Sequence, residues 1–138
     1  MDISNDYIEM CRYPDIQKQW DQRNGDFFWR QGELCLLHKH KTVQYGSENP
    51  WLKPSGIQIS DGWEIEVDHK SIWLPLQDQL QDMVDWKKYD ISISYYSMPW
   101  VFEWRGNQPK VYGVNGNSME QLWLLFVMKE RYNKEWTG

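Results

Sequence analysis

Apolar residues Ile8, Ile16 and Trp20 recur at multiples of four near the start of the chain, with Cys11 beside them and Ser4 or Asn5 placed to cap a helix. Pro14 interrupts that face. Either two short helices meet there, with Pro14 in the first turn of the second, or one helix is kinked. Asn24-Gly25 is the expected stop, since glycine accepts the left-handed conformation at a helix end. From Asp26 the period shortens. FFWRQ and ELCLLHKH flank Gln31-Gly32 and predict a β-hairpin, and Thr42 to Tyr45 predicts a third strand. Residues 46–56, around Trp51, carry glycine and proline turn signals and predict a surface loop. IQIS and WEIEV on either side of Asp61-Gly62 predict a second hairpin, with Ile57, Ile59, Ile65 and Val67 facing inward.

SIWL reads as a strand closed by Pro75. The next stretch, residues 77–88, predicts a helix with Leu76, Leu80, Met83 and Val84 as its apolar stripe, Asp78 and Asp82 early, and Lys87 and Lys88 late, as the helix dipole favours. Alternation makes residues 91–95 a strand, whereas Pro99 before WVFEW suits either a strand or a short helix. The clearest element is a helix over about 118–134: Asn117 or Ser118 followed by Gln121 forms a capping-box pattern ahead of Leu122, Leu125, Phe126 and Met128. The expected architecture is α+β, a small mainly antiparallel sheet with N-terminal, middle and C-terminal helices packed on it. No repeat or linker divides the chain, so a single domain of 138 residues is expected.

Composition adds three constraints. A net charge of -5 works against general nucleic-acid binding, although His38 to Lys41 and Lys129, Arg131 and Lys134 form local basic stretches. Cys11 and Cys35, without a CxxC pair, predict free and buried thiols. The start of the chain is acidic and apolar runs are short, so neither export nor a membrane span is expected, and the expected location is the cytoplasm. The outlying feature is the aromatic content, with Trp 10 and Tyr 8, more large rings than a domain of this size is expected to cover.

Each candidate for chemistry has a simpler alternative. His38, His40 and His69 could form a three-histidine metal site, yet the first two belong to a lysine-flanked strand end without acidic or thiol ligands nearby; no metal and no cofactor are expected. Glu64/Glu66 and Asp78/Asp82 read as solvated faces, and Cys35 with His38 reads as a structural thiol beside a strand end. Trp20, Trp123 and Trp86 fall on helix stripes and are expected in the core. Trp51, Trp63 and Trp100 stand beside turns, with Lys53 and Arg105 as candidate cation partners for a ligand or protein; Lys70 and Asn107 are further polar groups nearby.

The blocks IWLPLQDQLQDMV (residues 72–84) and SMEQLWLLFVMKERYNKEW (residues 118–136), together with IEMCRYPDIQKQW at the start, resemble a family of uncharacterised small proteins carried by phages and prophages of Gram-positive bacteria. Leu76 departs from that pattern, which has a basic residue there, as do Leu125, where a small residue is usual, and Pro14. The resemblance implies a phage-encoded protein of the host cytoplasm and transfers no catalytic residue. The expected function is non-enzymatic binding, of a host protein or a small nucleotide-like ligand, with interference in host defence as its setting. A small enzyme of phage nucleic-acid metabolism is the alternative, and a homo-oligomer is compatible with either.

Overall fold

A computed structural model describes residues 1–37, 56–59, 64–95 and 99–137, with residues 56–59 and 64–66 described by backbone alone. The chain divides into two compact units: residues 11–75, and residues 1–10 together with 76–138.

At the N-terminus the proline decides the form of the helix. α1 (Asn5–Cys11) and α2 (Pro14–Gln17) are separate short helices, with Pro14 in the first turn of α2, where its missing N–H leaves nothing unpaired. Ser4 is the cap of α1, its hydroxyl accepting from the Tyr7 N–H at 3.2 Å. Asn24-Gly25 does not stop a helix, because α2 has already ended at Gln17. Gly25 (φ 88°) instead turns the chain so that its N–H donates to the Leu37 carbonyl at 2.9 Å.

The unit of residues 11–75 is built on a five-stranded antiparallel sheet. β1 (Phe27–Arg30) and β2 (Glu33–Leu37) form the expected hairpin, Arg30 opposite Glu33. Gln31 and Gly32 both have positive φ, 52° and 81°, which gives the two-residue turn whose twist matches that of the strands. β3 (Gly56–Ile59) pairs with β2, and β4 (Glu64–Glu66) pairs with β3, Ile57 opposite Ile65. The turn of that second hairpin, and the run Thr42 to Tyr45, lie outside the described residues. β5 (Ile72–Leu74) joins the free side of β1, giving the order β4-β3-β2-β1-β5. Phe28, Cys35 and Leu37 are buried together, and Trp20 and Val67 pack against them. Trp20 follows α2 instead of lying on it. It stacks on Trp73 with ring centroids 6.4 Å apart, and its indole N–H donates to the buried Asp26 carboxylate at 2.9 Å.

In the other unit, α3 (Gln77–Asp82) stops half-way along the expected helix, and a single 3-10 turn, Trp86–Lys88, follows. The carbonyl of Met83, just past α3, accepts from the Arg131 guanidinium at 2.8 Å, so an external donor satisfies this helix end. Because the helix ends early, Trp86 leaves the stripe and is 38% exposed, meeting Trp123 only edge-on. β6 (Asp90–Ser94), β7 (Trp100–Arg105) and β8 (Tyr112–Gly116) form a three-stranded antiparallel sheet in that order. WVFEW is thus strand, since its alternating side chains share the register of β6. α4 (Met119–Tyr132) is the long C-terminal helix. The Ser118 hydroxyl accepts from the Gln121 N–H at 3.1 Å, and the Gln121 side chain reaches back to the Asn117 N–H at 3.0 Å. Asp2 binds the same cap: its carboxylate accepts from the Ser118 hydroxyl and, at 2.8 Å, from the Gln121 amide.

The protein is therefore α+β with antiparallel strands and helices at the expected places, the strands divided between two sheets. Both cysteines are buried, and neither forms a disulfide. Among the described residues, no helix is long and apolar enough to cross a membrane.

Candidate functional site

Antiparallel pairing fixes which side chains share a face of the three-stranded sheet. Ile91 and Ile93 stand opposite Trp104 and Phe102, which stand opposite Tyr112 and Val114. That face is apolar. The other carries Asp90, Ser92, Glu103, Arg105 and Asn115 and is solvated. Phe102 and Trp104 are buried against α4, where Phe126 meets both rings, at 5.4 and 5.1 Å between centroids, and Phe102 meets Trp123 at 5.1 Å. Glu130, one turn beyond Phe126, receives the polar ends of this cluster: the Trp104 indole N–H and, at 3.0 Å, the Tyr89 hydroxyl. Burial first, and then Glu130, holds the Tyr89 phenol above its ordinary value.

Beside this cluster β7, β8, α4 and the residues after it line a groove of about 340 Å³, with Trp104, Tyr112, Leu125, Lys129, Lys134 and Trp136 among its walls. Tyr112 is its platform. One neighbour is Trp104, nearly parallel at 5.8 Å, and the ring also has two ammonium groups over it, Lys110 at 4.7 Å and Lys129 at 5.4 Å. β8 brings Tyr112 here, the residues leading into it bring Lys110, and the last turn of α4 brings Lys129. Asn133, left-handed at φ 52°, then ends the helix and turns the tail back, the Lys134 N–H donating to the Met128 carbonyl at 3.0 Å. This return places Lys134, Glu135 and Trp136 on the groove wall. The Lys129 ammonium donates to Glu135 at 2.8 Å. That contact raises the lysine and lowers the carboxyl relative to their ordinary values, with the charge of Lys110 lowering Glu135 further. The groove thus has an aromatic wall, two lysines in its lining, Lys129 and Lys134, with Lys110 close by over Tyr112, and one carboxylate already engaged.

This is not the site outlined by the turn tryptophans. Trp51, Lys53 and Trp63 lie outside the described residues, as do His38 and His40. Trp100 and Arg105 lie five positions apart on β7, an odd spacing that puts them on opposite faces of the pleat, so the structure does not bring them together. Trp100 stands on the apolar face against Tyr95, at 4.5 Å between centroids, whereas Arg105 pairs with Asp90 at 3.1 Å on the solvated one. His69 and Lys70 are exposed in a turn, and among the described residues no group of three His, Cys, Asp or Glu side chains could hold a metal. Lys129 and Lys134 belong to the terminal basic stretch visible in the sequence. Their partner, the Lys110-Val111-Tyr112 run, had no such signal, because a lone cation two positions from a tyrosine gains meaning only when a strand sets both beside another lysine.

Comparison of the chain with protein-family models, with curated proteins and with solved structures finds no match.

Proposed function

We propose that the protein is a phage-encoded, non-enzymatic accessory protein of the bacterial cytoplasm that captures a small nucleotide-like ligand and withholds it from host defence. The observation that carries this reading is Tyr112, a ring with the ammonium groups of Lys110 and Lys129 over it, in a groove that Lys134 and Trp136 also line. A base stacks on an aromatic face irrespective of its identity, and a phosphate beside it is held by ammonium groups. A groove of about 340 Å³ is near the lower end of the ~300–1,000 Å³ typical of small-molecule sites, which favours a mononucleotide over a dinucleotide. A net charge of -5 opposes a polynucleotide without opposing a single small anion at a local cluster of lysines. The phage setting rests on the two sequence blocks that resemble the prophage family.

Isothermal titration with the nucleoside 5′-monophosphates, duplex DNA as the control, tests the reading. A monophosphate should bind, duplex DNA should not at physiological salt, and Tyr112→Ala or Lys129→Met should weaken binding by about tenfold or more, the loss expected of a stacking or charged contact. No heat with any monophosphate would remove the reading. Release of base or phosphate from a bound nucleotide would move the case to the enzyme alternative, and co-purification of a host protein with no small molecule would move it to a protein partner.

A further inference from the structure

We infer that the Glu135 carboxylate occupies the place of the ligand's anionic group, so that filling the groove and keeping the Lys129–Glu135 pair are mutually exclusive. The inference rests on the groove being a ligand site and concerns what the ligand must displace. Three observations meet here. Glu135 lies in the groove wall, and its carboxylate accepts from Lys129 at 2.8 Å, the same ammonium that stands 5.4 Å from the Tyr112 ring centre. Lys110, at 4.7 Å from that ring, adds its field to the same carboxylate. A negative group is therefore already held next to the ring that would stack a base. Nor is it held strongly: the Glu135 side chain is 73% exposed against 21% for Lys129, and the residues after Asn133 belong to no helix or strand.

Charge decides the exchange. A phosphate monoester carries about -1.5 to -2 at neutral pH and three acceptor oxygens, against a single negative charge and two oxygens for the carboxylate. A nucleoside monophosphate therefore displaces Glu135 from Lys129, while a simple aromatic carboxylate meets it only as an equal. Once Glu135 is released, the tail loses its contact with Lys129, and the neighbouring Trp136 changes its surroundings. A solvent-exposed ion pair is worth little, so the internal competitor weakens the ligand by about two- to fivefold and no more.

The test uses the full chain labelled with 5-fluorotryptophan, the Trp136 fluorine resonance being the one lost in Trp136→Phe. Adenosine monophosphate, adenosine, inorganic phosphate and benzoate are titrated into the wild type, Glu135→Gln and Lys129→Met. Adenosine monophosphate should move the Trp136 resonance. Glu135→Gln should move it in the same direction without ligand and bind adenosine monophosphate about two- to fivefold more tightly. Lys129→Met should weaken binding about tenfold or more, and benzoate and adenosine should bind more weakly than the monophosphate. Wild-type binding with an unchanged or weaker affinity in Glu135→Gln overturns the exchange and leaves the groove as a ligand site. Absence of binding by every probe to both the wild type and Glu135→Gln overturns the groove reading as well.

Discussion

Gln17 shows how one side chain can finish a sheet. β5 is an edge strand, and Trp73 would leave a backbone N–H and carbonyl open to another chain. The Gln17 amide takes both, its oxygen accepting from the Trp73 N–H at 2.8 Å and its nitrogen donating to the Trp73 carbonyl at 3.0 Å, while the same nitrogen also donates to the Cys11 carbonyl at 2.6 Å. Gln17→Ala should cost about 1–3 kcal/mol in urea unfolding, the cost of stranding partly buried polar groups; a loss too small to measure would mean that water takes over the amide's bonds. Asp68 makes a second such point. Its carboxylate accepts from Arg30 at 2.7 Å and from the Lys70 N–H at 2.9 Å, which, led by the Arg30 contact, holds it well below the usual carboxylate range. A carboxyl lowered by folding stabilises fully above its unfolded value and loses that contribution as acid protonates the native state. Asp68→Asn should therefore lower the urea midpoint clearly at pH 7 and progressively less as pH falls from about 4 toward 2. An equal loss at pH 7 and pH 3 would show that the charge is not what stabilises.

At the scale of elements, α4 departs most from its sequence pattern. A stripe of Leu122, Leu125, Phe126 and Met128 predicts one docked face, and all four are buried, but so are Gln121, Trp123, Leu124 and Val127. A helix apolar on all sides is a core helix. Leu122→Ala should accordingly cost about 2–5 kcal/mol, measured by chemical unfolding; a change within error would place that side of the helix in water. The approach to α4 is equally constrained. A Cβ on Gly116, the last residue of β8, would come within 3.1 Å of Gln121 Cβ and of Leu122, a tight approach that glycine relieves through its size and not through an unusual φ. Gly116→Ala should destabilise by about 1–3 kcal/mol, as overpacking does, with α4 shifted outward; an unchanged melting temperature would show that the helix yields without strain. β8 carries little strand signal in the sequence because two glycines in YGVNG weaken the pattern.

At the scale of the whole molecule, the core absorbs a part of the large rings. Among the described residues Trp73, Trp104 and Trp123 are buried, as are Tyr7, Phe28, Phe102 and Phe126, so these rings serve packing, and the groove borders Trp104 and Tyr112. A ligand bound only by the folded chain adds stability by mass action, about 1.4 kcal/mol at ten times Kd. For a chain of 138 residues that is a rise in melting temperature of about 4–7 °C. Adenosine monophosphate should produce this rise in the wild type and not in Lys129→Met. The same rise in both would place the nucleotide elsewhere on the surface.

Where local rules suffice, the sequence decides. Gln31-Gly32 specifies its turn through positive φ, Pro14 separates two helices by its missing N–H, and Ser118 with Gln121 opens α4, because each acts on backbone atoms within a few residues. Tertiary context decided the rest. α3 ends at Asp82 although its periodicity continues, with Arg131, 48 positions from Met83, supplying the donor beyond its end. Pairing in register sent Trp100 and Arg105 to opposite faces, a consequence visible only once WVFEW is known to be strand. The groove needs Lys110 and Tyr112 from β8 and its approach, Lys129 from a helix end, and Glu135 from a returning tail. Their proximity follows from sheet pairing and helix packing, which no local spacing in the sequence encodes.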